Sequence, residues 1–182
     1  MANKRRVRAA CRGLLRGIDV QPPLQIMDLV PRVAALRGRP IQLVEHPLTD
    51  ELALSFNVGD IDVIAWRQHT STWHRDHSIA HELGHILCRH LDPDAGGYGE
   101  YDATESSDLS AILARFPHDG PPPQAIRRRA CYGYPHEATV ELIATTFLEW
   151  AILPGRAPEA IPQDLVRGHG LYRTLSYRRG WT

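Results

Sequence analysis

His81-Glu82-Leu83-Gly84-His85 lies inside an apolar run from Ile79 to Leu91, and no other segment narrows the possible folds as much. Histidines at i and i+4 meet on one face only when the segment is an α-helix. Both imidazoles can then reach a single metal ion. The neighbours Ile79, Ala80, Leu83, Ile86 and Leu87 place that helix in a core. Imidazoles and a carboxylate in such company need partners, and a metal is the simplest one. Glu82 stands beside the first ligand, where it can take a proton from water on that metal. The fold must therefore present one polar stripe on an otherwise buried helix.

A helical wheel advances about 100° per residue, so His85 falls about 40° from His81 and Cys88 about 20° to the other side. Cys88 is two turns on, roughly 10 Å along the axis, too far to join the same ligand set. A helix continued to the end of the run turns His90 to the opposite face. His74 and His77 fall on the motif side, one or two turns earlier, where they can line a cleft. Gly84 costs about 1 kcal/mol of helix stability relative to alanine. Such a glycine suits a point where a strand passes close to the helix.

A catalytic metal wants a third protein ligand and one open position. A second strong helix, His136 to Leu153, carries Glu137 and Glu141 one turn apart on one face. Glu141 sits among Val140, Leu142, Ile143 and Ala144, where an unpaired carboxylate is expensive. Ala144 and Thr145 would let the motif helix pack close. Glu141 is thus the expected ligand. Glu137, in the first turn, is the alternative ligand or a supporting partner.

Upstream, residues 5–17 read as a helix with Val7, Ala10, Cys11, Leu14 and Leu15 at helical spacing. Leu24 to Leu36 reads as another, kinked or begun at Pro31 and stopped by Gly38. Strands are expected at Ile41–Glu45, Leu52–Val58 and Ile61–Trp66, the last two joined as a hairpin through Asn57-Val58-Gly59-Asp60. The motif helix should run from about Trp73 to His90, capped by Ser71 or Thr72. Beyond it, 92–99 and 117–123 read as loops, 107–116 as a short helix and 125–131 as a helix. The fold class is α+β: a small, mostly antiparallel sheet of about three strands packed on two ligand-bearing helices.

The 182 residues suit one domain with at most a small appendage. The formal net charge is zero, so no global field favours nucleic acid or membrane. Lys4, Arg5, Arg6, Arg8, Arg12 and Arg16 nevertheless open the chain with no acid before Asp19. They allow weak, nonspecific phosphate contact. Asp92, Asp94, Glu100, Asp102, Glu105 and Asp108 form an acidic stretch that reads as a surface loop. No apolar run approaches a membrane span. The basic start lacks the apolar core of a secretory signal. Cys11, Cys88 and Cys131 are too few and too scattered for a disulfide framework, which suits a reducing cytoplasm.

The run Ile79–Leu87, following Arg75 and a short sheet, resembles the ImmA/IrrE family of zinc metallopeptidases. The likeness is to its actinobacterial members, toxin or regulator components that stand beside a helix-turn-helix protein. The family's second signature is a ligand Glu, a small residue three on, an aromatic or small residue six on and a proline thirteen on. Glu141, Ala144, Phe147 and Pro154 follow it. A register begun at Glu137 puts Glu141 in the acidic position and Ala144 in the small one, and loses the proline. Leu148 departs from the usual alanine, and residues 92–135 are longer than in compact members.

The resemblance covers residues 24–154. It leaves a basic helix at 1–23 and an Arg- and Pro-rich tail at 155–182. It implies a compact zincin-like (minigluzincin) domain, Zn²⁺ on His81, His85 and Glu141 or Glu137, and Glu82 as general base. Tyr98, Tyr132, Tyr134 and His136 are candidates for a second electrophile. The strand at 61–66 is a candidate edge for an extended substrate. The implied substrate is a helix-turn-helix repressor or antitoxin, cut in the cytoplasm to relieve transcriptional repression. The rival expectation is a catalytically silent regulator or toxin component that binds such a partner without cutting it.

Overall fold

The computed structural model describes residues 4–49, 51–92, 100–102, 106–116, 125–127 and 137–152. In chain order the elements are α1 (Lys4–Gly17), α2 (Ile26–Arg37), β1 (Ile41–His46), β2 (Ala53–Val58), β3 (Ile61–Arg67), α3 (Thr72–Leu87), β4 (Glu100–Asp102), α4 (Ser107–Leu113), β5 (Ala125–Arg127) and α5 (Glu137–Ile152). The fold is α+β, and among the described residues no helix is long and apolar enough to cross a membrane.

The main sheet has the order β1-β3-β2. Gly59 begins the two-residue turn of the β2–β3 hairpin, where its φ of +55° costs a glycine nothing. The sheet is mixed, which corrects the mostly antiparallel expectation. β2 pairs antiparallel with β3, but β1 pairs parallel with β3, Ile41 opposite Asp62. The reason is topological. Two reversals of direction return β3 to the sense of β1, and β3 then inserts between β1 and β2. The same placement removes β3 as a substrate-pairing edge, because both of its sides are bonded.

Position in the sheet also explains the composition of β3. Asp62, Val63, Ile64 and Ala65 are all buried, as expected of a strand covered on both faces. Ile64, with Ile41, Leu43 and Trp66, faces the large core made by α1, α2, α3 and α5. Val63 and Ala65 face the other way, with Val44, Leu54 and Phe56, and are covered by Leu109, Ile112 and Leu113 of α4 and by Phe116. Helices, sheet and α4 thus form three layers.

α1 is no appendage. Val7, Ala10, Cys11, Leu14 and Leu15 belong to the same core as Leu83 and Phe147. Its basic face is partly engaged as well. Arg8 and Arg12 reach Glu149 at 3.0 and 3.6 Å, and Arg16 lies over the Trp150 ring. α2 begins at Ile26, so Pro31 lies inside it, and Gly38 ends it in a left-handed conformation. β5 occupies 125–127, where a helix was expected. It pairs antiparallel with β4, so cross-strand bonding outweighs its local helical signal. The tail beyond Ile152 lies outside the described residues.

One ionic knot joins three segments. Arg37, at the end of α2, donates to Asp62 on β3 at 3.0 Å and forks onto Asp92 beyond α3. Asp62 is 0% exposed and Arg37 6%. Arg39 at 3.5 Å and Asn57 at 2.5 Å also reach Asp62. Breaking a buried pair strands the remaining charge and costs about 3–5 kcal/mol. Urea unfolding of Arg37→Met should show a loss of about that size. A loss near zero would mean that Arg39 and Asn57 suffice to hold Asp62.

Candidate metal centre

α3 starts where Ser71 accepts the His74 backbone N–H. Three histidines then recur along one face at 77, 81 and 85. α5 lies against that face and runs the opposite way, for its earlier Glu137 meets the later histidines and its later Glu141 the earlier ones. Gly84 sets how close the helices come. A Cβ there would lie 3.0 Å from Val140 Cγ1 and 3.4 Å from the Val140 carbonyl oxygen. The neighbour that requires the glycine is thus a helix, not the expected strand.

The close approach brings three side chains together. His81 Nε2 and His85 Nε2 are 3.2 Å apart. Glu137 Oε2 is 3.4 Å from His81 Nε2, and Glu137 Oε1 is 3.4 Å from His85 Nε2. Ligands about 2.0 Å from a tetrahedral ion are separated by about 3.3 Å. These three groups therefore fit a metal ion, and among the described residues they form the cluster able to hold one. Among the described residues the set is two imidazoles and one carboxylate, with no thiolate.

Of the two candidate glutamates, Glu137 joins this cluster. Glu141 takes a different place. Its Oε2 lies 3.2 Å from His81 Nδ1, the ring nitrogen turned away from the cluster, and its Oε1 is 3.0 Å from His77 Nε2. Antiparallel packing puts each carboxylate between two histidines, and residue 137 falls level with the motif. Glu141 is half exposed, so its apolar sequence neighbours line the other faces of α5.

His90 is a second departure from expectation. α3 ends at Leu87, and Arg89 turns the chain back with a φ of +57°. His90 Nδ1 then lies 2.9 Å from His85 Nδ1. A helix continued to residue 90 would have pointed it away. Cys88 caps α3 within the core and is absent from the metal face. Burial raises its thiol pKa and pushes that of nearby Cys11 up to about 12, so both are neutral thiols.

Glu82 is 9% exposed and Ser55 5%. Ser55 Oγ donates to Glu82 Oε2 at 2.5 Å. Ser55 lies opposite Ile64 in the β2–β3 register, on the helix-facing side of the sheet. Ser55 is not among the site residues expected from the sequence. Its signal was a lone hydroxyl between Leu54 and Phe56. At the outer end of the face, Trp73 stacks on His77 with ring centroids 5.4 Å apart. Tyr98, Tyr132, Tyr134 and His136 lie outside the described residues.

Burial alone would lower the His81 pKa. Hydrogen bonding to Glu137 and the fields of Glu82 and Glu137 outweigh it, and the pKa is raised above 6.5. The pocket therefore draws positive charge, which a metal satisfies as well as a proton. No protein-family model, characterised protein or solved structure matches the chain.

Zn²⁺ competition titrations should separate the glutamates. Glu137→Gln is expected to cost more than about 100-fold in affinity, and Glu141→Gln about 10- to 100-fold. The reverse order would make Glu141 the ligand. Because protons compete for a raised-pKa His81, affinity should be full at alkaline pH and begin to fall while pH is still above 6.5. Affinity independent of pH down to that value would exclude His81 from the ligand set.

Proposed function

We propose that the protein is a zinc-dependent endopeptidase of the ImmA/IrrE kind, with a compact zincin-like fold. The observation that supports this best is the convergence of His81 Nε2, His85 Nε2 and Glu137 beside a buried Glu82. His81, His85 and Glu137 would hold Zn²⁺, which supplies Lewis acidity when bound.

The chain's own groups account for the proton movements. Glu82 accepts a proton from the water that attacks the peptide carbonyl carbon. It returns that proton to the leaving nitrogen as the C–N bond breaks. Ser55 donates to one oxygen of that carboxylate and so fixes its orientation. Glu141 accepts from His81 Nδ1 and keeps that ring's Nε2 lone pair turned inward. β2, paired with β3 on one side, carries Ser55 toward Glu82.

The substrate of this proposal is a helix-turn-helix repressor or antitoxin in the cytoplasm, cleaved to relieve repression. Co-expression with such a partner provides the test. Wild-type protein should cut it. Glu82→Gln should bind zinc at the same stoichiometry and lose at least about 10²-fold in cleavage rate. A partner that co-purifies intact with the zinc-loaded wild type would instead establish the non-cutting regulator.

A further inference from the structure

We infer that His90 is a positioning residue of the metal centre, which fixes His85 in the one tautomer able to bind a metal through Nε2. The inference rests on the metal-centre reading above. His85 Nδ1 and His90 Nδ1 are 2.9 Å apart, so one proton lies between them. For His85 to offer a lone pair at Nε2, that proton must belong to its Nδ1. His90 Nδ1 is then the acceptor, and a neutral His90 carries its own proton on Nε2. A single pair of tautomers satisfies both rings.

The backbone enforces this pairing. His90 N–H donates to the His85 carbonyl at 3.0 Å, so the two residues meet at main chain and at ring. Arg89 N–H donates to Ile86 and Cys88 N–H to Gly84, each at 3.0 Å, which closes the last turn of α3. The left-handed Arg89 then swings His90 back beneath His85. The ring planes are tilted by 55°, an edge contact suited to a hydrogen bond between nitrogens. His85 is 2% exposed and His90 8%, so bulk water is not at hand to replace the partner.

Zn²⁺ affinity of the full chain, read by chelator competition, and the visible absorption of its Co²⁺ form test the role. His90→Leu removes the acceptor and should weaken Zn²⁺ binding about 10- to 100-fold while altering the Co²⁺ spectrum. His90→Asn puts an amide oxygen near the place of Nδ1 and should restore most of that loss. Wild-type affinity in His90→Leu, or His90→Asn as weak as His90→Leu, overturns the inference. Should neither variant fold, ¹⁵N spectra of the zinc-loaded wild type decide: one proton should couple His85 Nδ1 to His90 Nδ1. A proton bonded to His90 Nδ1 overturns the inference. No Zn²⁺ binding by the wild type, or binding unchanged in His85→Ala, would instead bring down the metal-centre reading, and this inference with it.

Discussion

The approach of α5 to α3 at Gly84 is the contact on which the rest of the site depends. A side chain at residue 84 would meet Val140 on both its Cγ1 and its carbonyl. With that side chain missing, two antiparallel helices lie close enough for short groups to meet across them. Histidines at i, i+4 and i+8 on one helix then face glutamates at i and i+4 on the other. Each carboxylate falls between two imidazoles because both helices share the same rise per turn. The two-tier arrangement follows: Glu137 with His81 and His85, Glu141 with His77 and His81. The helix-forming strength given up at Gly84 is about 1 kcal/mol, small beside the free energy that a bound metal can contribute.

The helices need a frame, and the sheet supplies it at two points. Ser55 fixes Glu82 from β2, and Asp62 on β3 anchors Arg37 and, through it, Asp92 just beyond α3. The second contact restrains the chain two residues after His90. Buried ionic groups add little net stability over an apolar replacement, yet cost much when broken singly. Their value to this fold is registry. They hold the turn after α3 against α2 and β3, where a purely apolar contact could slide.

Much of this was legible in the chain. The H-E-x-x-H helix, its Ser71 cap, the β2–β3 hairpin and α5 all announce themselves through period and turn chemistry. The missing parts share a physical cause, dependence on a neighbour distant in sequence. Glu137 and Glu141 are equivalent on an isolated helix, and only the level at which α5 crosses α3 separates them. The parallel pairing of β1 follows from β3 entering the middle of the sheet, which no local pattern encodes. The end of α3 was hidden for a different reason. Cys88-Arg89-His90 contains neither glycine nor proline, yet Arg89 adopts a positive φ. A non-glycine residue there is strained and persists only where surrounding contacts hold it. Its ion pair with Asp92 at 3.0 Å and the ring contact of His90 are such contacts.

The two histidines of the motif are supported unequally, and burial explains why. His81 is backed by Glu141, a carboxylate half open to solvent. His85 is almost fully buried and is backed by a histidine. A carboxylate beneath His85 would be a further desolvated charge next to Glu82 and Glu137, and would need its own compensation. A neutral imidazole orients the ring with a single acceptor nitrogen and adds no charge. The more exposed histidine therefore has the stronger electrostatic support. The buried one depends on geometry, through a turn made by one left-handed arginine.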